Sequence, residues 1–276
     1  MRVGYHTITW GGVVGDATGV TSVKDLYYRT YGPMDRAIAD IAAAGYSGTE
    51  MFDGNLADYE ERPAELQGFL NAAGVELVSV YAGGNFIYGD ILEDELDRVR
   101  RAAGLARTFG ASTLVVGGGA RRARGTADAD YSALAAALDQ VTRIAEDHGL
   151  TACYHPHLTT IVESPGELDR LMPITQIGFC PDTAHLAAGG GDPAELIRRY
   201  SDRIRHLHFK DLQLDPFTFL PLGQGVINFP AVLAAVMESG YDGWLIVELD
   251  SYHGDPLEAA KISKAYLDQF LNTKVA

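Results

Sequence analysis

The sequence predicts a single-domain (β/α)8 barrel, a TIM barrel, over residues 1–276, and three observations support that fold class. An Ala-, Leu- and Ile-rich helix that ends in glycine and is followed by a short β-branched run recurs along the chain. About eight such units can be counted, as this barrel requires. Ionisable side chains gather at the ends of the predicted strands, where α/β barrels carry their functional groups. An open doubly wound sheet is the alternative, and the number of units favours the barrel.

Five of the units are well defined, because each has a glycine where a helix C-terminus favours a left-handed residue. Those glycines are Gly45, Gly74, Gly110, Gly149 and Gly240, and the strands after them lie in YSGTEMF, VELVSVY, ASTLVVGGG, LTACYH and YDGWLIVEL. Three weaker strands complete the set, near Val3–Thr9, Gln176–Asp182 and Arg203–Lys210. The last helix is predicted over Pro256–Leu271.

Two connections are long for loops between strands and helices. Residues 11–31 are predicted to form a lid or an oligomer contact. Residues 211–228 are predicted to form a second lid, with Gly223 and Gly225 as hinges. No low-complexity segment or linker divides the chain, which supports one domain.

Composition excludes several classes of protein. A net charge of −15 opposes binding to a phosphate backbone, so nucleic acid is not an expected partner. No apolar stretch approaches the roughly 18 residues of a membrane span, and the N-terminus lacks the apolar core of a secretory signal. Cys153 and Cys180 are the only cysteines, so no disulfide framework is indicated. A cytoplasmic location is expected.

The ends of the predicted strands are rich in histidine and carboxylate. The candidates there are His6, Glu50, Arg121, His155, His157, Asp182, His185, His206, His208, Lys210, Glu248 and Asp250. Six of the chain's eight histidines fall in this set. Glu248 lies in the otherwise apolar run WLIVEL, where an unpaired charge is very costly, so it must be paired, protonated or bound to a metal.

Imidazoles and carboxylates from several strands suit one divalent ion. Mn²⁺, Co²⁺ and Zn²⁺ all suit such ligands and Mg²⁺ is less suited to nitrogen, so residue types leave the ion open, and Mn²⁺ is adopted as the prediction. Strand alternation places Trp244, Ile246 and Glu248 on one face, with Leu245 and Val247 facing the helices. Pro156 is poorly tolerated inside a central strand, so strand five is predicted to end near His155.

These features resemble the xylose-isomerase-like barrels, which include sugar phosphate isomerases and epimerases. The resemblance covers nearly the whole chain and is carried by GYHTITWG, GYSGTEMF, CPDTAHL, IRHLHFKD and VELD. It implies one divalent metal, with Asp182, His208 and Glu248 as three of its ligands. His206 is the less favoured choice on strand seven. The family's first ligand is commonly a glutamate on strand five, and His155 occupies that position here.

Strand five also separates the functional alternatives. The segment YHPHLTTIVES looks like that of inosose dehydratases, with the C-glycoside deglycosidase catalytic subunits as related enzymes. The resemblance therefore implies a metal-dependent lyase that abstracts an α-proton from a keto-sugar or keto-cyclitol and then eliminates a β-substituent. An isomerase or epimerase is the alternative. A metal-dependent endonuclease and a non-catalytic carbohydrate-binding barrel are less favoured.

Roles follow for the remaining residues. His157 is predicted to carry the proton, since an imidazole titrates near neutral pH. Lys210 and His185 are predicted catalytic residues that polarise or orient the substrate, with a salt bridge as the alternative for Lys210. Substrate contacts are predicted for His6, Glu50 and Arg121. The expected ligand is a small sugar or cyclitol. The expected assembly is a homo-oligomer, and the resemblance leaves open whether a small second subunit is required.

Overall fold

The structure, a computed structural model, describes residues 1–11 and 27–271. The lid or oligomer contact predicted at 11–31 therefore lies largely outside the described residues. None of the helices in these two ranges combines the length and apolarity that crossing a bilayer requires.

The strands of the described chain number ten. They are β1 (Arg2–His6), β2 (Gly48–Phe52), β3 (Glu76–Gly84), β4 (Thr113–Gly118), β5 (Thr151–His155), β6 (Gly178–Phe179), β7 (Leu207–Phe209), β8 (Asp211–Leu214), β9 (Phe217–Leu220) and β10 (Trp244–Val247). Eight of them form one parallel sheet in the order β6-β5-β4-β3-β2-β1-β10-β7. Parallel bridges from Phe179 to Ile204 and from Asp182 to His208 join its two ends. The predicted (β/α)8 barrel is thus confirmed.

Helices alternate with these strands. They are α1 (Met34–Ala43), α2 (Asp53–Ala57), α3 (Pro63–Ala73), α4 (Leu92–Thr108), α5 (Asp128–Asp147), α6 (Pro165–Leu171), α7 (Thr183–Ala188), α8 (Pro193–Arg199), α9 (Phe229–Glu238) and α10 (Pro256–Leu271). Gly45, Gly74, Gly110, Gly149 and Gly240 all have positive φ, as predicted for the residues that end five helical segments.

The apolar side chains divide between two regions. Leu245 and Val247 belong to the large cluster between sheet and helices. Trp244 and Ile246 belong to a separate small cluster with Val78, as the predicted alternation of β10 requires. Ile8, Val115 and four other residues form a third cluster. Glu248 follows β10 directly and is on the face predicted to point into the barrel.

Three elements differ from the sequence prediction. β1 ends at His6 rather than Thr9, because His6 Nδ1 accepts a hydrogen bond from Ile8 N at 2.9 Å and begins a 3-10 helix. β6 has only two residues. The predicted lid after β7 contains the antiparallel hairpin β8–β9, whose pattern is too short and too exposed to identify from sequence.

A buried carboxylate holds the end of that predicted lid. Asp211 Oδ2 accepts the amides of Gly223 and Gly225, each at 2.9 Å. Asp211 Oδ1 accepts the amide of Ile227 at 3.1 Å. The two glycines predicted as hinges are therefore tied to a side chain that is itself fully buried.

Candidate active site

Four side chains from neighbouring strands converge at the mouth of the barrel. His155 ends β5, Asp182 follows β6, His208 lies on β7 and Glu248 follows β10. Each offers one nitrogen or oxygen, and these atoms all lie within 4.8 Å of one another. All four residues are buried. The structure thus brings together the three ligands that the family resemblance implied, Asp182, His208 and Glu248, with His155, which occupies the position of the family's first ligand.

The atoms of this group lack the partners that buried polar atoms normally have. Among the described residues, His155 Nε2, Asp182 Oδ2 and His208 Nδ1 have no hydrogen-bond partner. His155 Nε2 lies 3.6 Å from Asp182 Oδ2, and His208 Nδ1 lies 2.6 Å from Glu248 Oε2. Unsatisfied buried polar atoms are costly, so a shared cation fits the arrangement. Two imidazoles with two carboxylates suit Mn²⁺, Co²⁺ or Zn²⁺.

Lys210 is fully buried beside this group. Its Nζ lies 2.6 Å from Glu248 Oε1, 2.5 Å from Asp250 Oδ1 and 3.7 Å from Asp182 Oδ2. Burial alone would lower the pKa of Lys210, but the three carboxylates, Asp250 first, raise it. Burial would raise the pKa of Glu248, yet Lys210 and His208 hold it well below its usual value. Lys210 therefore keeps the carboxylates of the group ionised.

Glu50 lies fully buried, next to His208. Its Oε1 is 3.0 Å from His208 Nε2, and its Oε2 accepts hydrogen bonds from His206 Nε2 at 3.0 Å and from Ser79 Oγ at 2.5 Å. Burial would raise the pKa of Glu50, but His208 and His206 lower it well below its usual value. Glu50 is not among the residues that line the neighbouring cavity, and the substrate contact predicted for it stays a prediction.

His157 lies beyond the end of β5, outside the four-residue group. Its Nδ1 is 2.7 Å from the carbonyl oxygen of Leu158, which can only accept, so Nδ1 carries the proton. Nε2 is then free to accept one. Burial, followed by the neighbouring His155, lowers the pKa of His157 to about 4, so the imidazole is neutral at pH 7. The structure thus separates His157 from His155 at Pro156, as the sequence predicted.

A cavity of about 380 Å³ opens above the group. Its lining residues are His6, Ile8, Tyr28, Phe52, Tyr81, Gly118, His155, His157, Thr159, Thr160, Glu248 and Asp250. Tyr28, Phe52 and Tyr81 form one aromatic wall, with ring centroids 5.4 to 5.6 Å apart. The sequence did not predict this wall, because only ionisable residues at strand ends were taken as candidates, and Phe52 at the end of β2 and Tyr81 within β3 are aromatic.

The other predicted site residues have different surroundings. His6 lines the cavity, whereas Lys210 and His185 are not among its lining residues. The His185 ring is 3.8 Å from that of His157, and its Nε2 is 3.2 Å from Lys210 Nζ. Arg121 donates to Glu163 Oε2 and to the Thr160 carbonyl, at 2.7 and 2.6 Å. It is not among the residues that line the cavity, and its predicted substrate contact stays a prediction.

Comparison with known proteins places this site in context. The sequence profile of the family described as xylose isomerase-like TIM barrel matches residues 38–270. The inosose dehydratase of Geobacillus kaustophilus is 32% identical over 311 residues, covering 100% of this chain and 96% of that protein.

Two solved structures share the fold. The IolI protein, solved with a bound zinc atom, superposes with a TM-score of 0.78 at 16% identity and covers 100% of both chains. The 3-keto-D-glucoside 4-epimerase of E. coli superposes with a TM-score of 0.73 at 17% identity, covering 98% of this chain and 99% of that one. At these identities the likeness concerns the fold alone.

Proposed function

The chain belongs to the xylose isomerase-like TIM barrel family and is an enzyme, and we propose that it is a divalent-metal-dependent lyase. Its proposed substrate is a keto-cyclitol or keto-sugar, from which it eliminates a β-substituent. The observation that carries the proposal is the imidazole pair at the end of β5, with His155 in the buried group and His157 beside it. The similarity to an inosose dehydratase over the whole chain supports the same reaction class.

The residues present fit the ion this reaction needs. His155, Asp182, His208 and Glu248 would hold it, since one nitrogen or oxygen from each converges within 4.8 Å. When bound, a divalent ion supplies Lewis acidity beside the substrate carbonyl. Lys210 acts as a positioning residue in this proposal, because it touches the carboxylates and not the cavity.

His157 moves the proton. Its free Nε2 accepts the α-proton, and the bond to the β-substituent then breaks. The departing hydroxide takes the same proton back from His157, so that water is released and His157 is restored to neutrality. The aromatic wall of Tyr28, Phe52 and Tyr81 packs against the apolar face of the ring and excludes water from it.

A metal-dependent isomerase or epimerase is the second candidate. Glu248 lines the cavity as a carboxylate and could serve as a base in such a reaction. The products separate the two candidates, because isomerisation conserves the substrate mass and elimination does not. The test is a screen of keto-cyclitols and 3-keto-glycosides with Mn²⁺-loaded protein, read by mass spectrometry. Loss of water or of an aglycone supports the lyase, and an isomer of unchanged mass refutes it.

Three further predictions from the sequence are carried forward as proposals. Mn²⁺ is the proposed ion, because its ligand preferences span imidazole and carboxylate. A homo-oligomer is the proposed assembly, and the cytoplasm is the proposed location. Metal analysis of the purified protein and its sedimentation in solution test the first two.

A further inference from the structure

The turn that follows β5 has a strained backbone. Thr159 has a φ of 70°, in the left-handed region that a β-branched residue rarely adopts. Strain of this kind persists only where the surrounding contacts hold it in place. The turn includes His157, so the contacts that hold Thr159 also bear on the position of that imidazole.

Two charged side chains hold the strained turn from outside the cavity. The amide of Thr159 donates to Glu163 Oε2 at 2.7 Å. Arg121 Nη2 donates to the same oxygen at 2.7 Å, and Arg121 Nε donates to the carbonyl of Thr160 at 2.6 Å. Arg121 and Glu163 therefore bind each other. Glu163 also binds the amide of Thr159, and Arg121 binds the carbonyl of Thr160.

The turn is connected to His157 and to a helix. The Thr160 amide and hydroxyl lie 3.2 and 2.8 Å from the carbonyl oxygen of His157. On the other side, the amide of Glu163 donates to Glu167 Oε2 at 2.9 Å, within the capping box of α6. The contacts thus run from the start of α6 through Glu163 and the turn to His157.

We propose that Arg121 and Glu163 form a clamp that keeps Thr159 in its strained conformation and so directs His157 into the cavity. Both are positioning residues, because neither lines the cavity. The inference rests on the proposed function in one respect, namely that His157 carries the proton.

Glu163→Ala tests the clamp. Without the carboxylate Thr159 can relax to negative φ, and a shift of about 1 Å at His157 should slow α-proton exchange of the substrate with D₂O by about 10- to 100-fold. The affinity for Mn²⁺ should not change. Adding Thr159→Gly should raise the rate above that of Glu163→Ala by about fivefold or more, because glycine adopts this φ without strain.

A second readout does not depend on activity. Amide hydrogen exchange over residues 157–163 should be faster in Glu163→Ala than in the wild type. Glu238→Ala is the matched control, since it removes an exposed ion pair with Arg198 on the outer helices. It should change neither readout.

The outcomes distinguish the clamp from the proposed function. If His157→Ala loses α-proton exchange while Glu163→Ala keeps the wild-type rate, the clamp is refuted. A double variant no faster than Glu163→Ala also refutes it. If His157→Ala itself keeps the wild-type rate, the assignment of the proton to His157 is what fails.

Discussion

Replacing Glu50 with glutamine should weaken metal binding although Glu50 is not one of the four converging residues. Its carboxylate faces His208 Nε2 at one oxygen, and His206 Nε2 and Ser79 Oγ at the other, at 2.5 to 3.0 Å. A carboxylate accepts at both oxygens, whereas a glutamine accepts at one and donates at the other. One histidine would therefore meet an N–H in place of an acceptor.

The size of the effect follows from the interaction that is lost. A hydrogen bond to a charged group contributes about 1.5–3 kcal/mol, which corresponds to about 10- to 100-fold in Kd. Loss of a partner to a metal-binding histidine has effects of the same size. The physical reason is that the Glu50 carboxylate, 3.0 Å from His208 Nε2, favours a proton on that nitrogen, so that Nδ1 is the nitrogen that can bind the ion.

The assay is equilibrium dialysis of metal-free protein against Mn²⁺. Glu95→Gln is the matched control, because Glu95 is also a buried carboxylate and its partners within residues 1–11 and 27–271, Asn85 and Phe86, lie outside the site. A Kd for Glu50→Gln within about twofold of the wild type would refute the role of Glu50.

Three other predictions follow from the same contacts. Asp182→Ala or Glu248→Ala should abolish stoichiometric Mn²⁺ in elemental analysis, and retention of one ion per chain would refute the ligand assignment. Lys210→Met should lower the free energy of unfolding, measured in urea, by about 3–5 kcal/mol, because the buried carboxylates lose their neighbouring positive charge. A wild-type free energy of unfolding would contradict this. Burial lowers the pKa of His6 to about 4, whereas a histidine in the unfolded chain has a pKa of about 6.5. Between about pH 4 and pH 6.5 the unfolded state therefore binds more protons than the folded state. Stability of the metal-free protein should therefore fall by about 2 kcal/mol through His6 between pH 7 and pH 5, and a His6→Gln variant with the same pH dependence would contradict this.

Local sequence signals were sufficient for the barrel and for the candidates at the strand ends, whereas the family resemblance selected Asp182, His208 and Glu248 among them. Pro156 marks the end of β5 because its ring is incompatible with a central strand, and Glu248 is conspicuous because it follows an apolar run. Both signals depend only on neighbours along the chain. The same holds for the glycines that end the helices.

Contacts between distant segments explain what the sequence could not predict. Glu50 lies two residues before the end of β2, whereas His155 ends β5, and in the folded chain Glu50 contacts His208 instead of lining the cavity. In the sequence, Arg121 resembles a solvent-exposed loop residue. In the structure it binds Glu163, which lies 42 residues later in the chain. The strain at Thr159 has no signature in residue type, because threonine does not favour that conformation.

The division of roles between His155 and His157 is the central claim, and one pair of variants tests it most directly. His155→Ala and His157→Ala would be compared for Mn²⁺ stoichiometry and for exchange of the substrate's α-proton with D₂O. The account predicts that His157→Ala binds one Mn²⁺ and exchanges no proton, while His155→Ala fails to bind Mn²⁺. If His157→Ala lost the ion and His155→Ala kept it, the two roles would be reversed and the account would be contradicted.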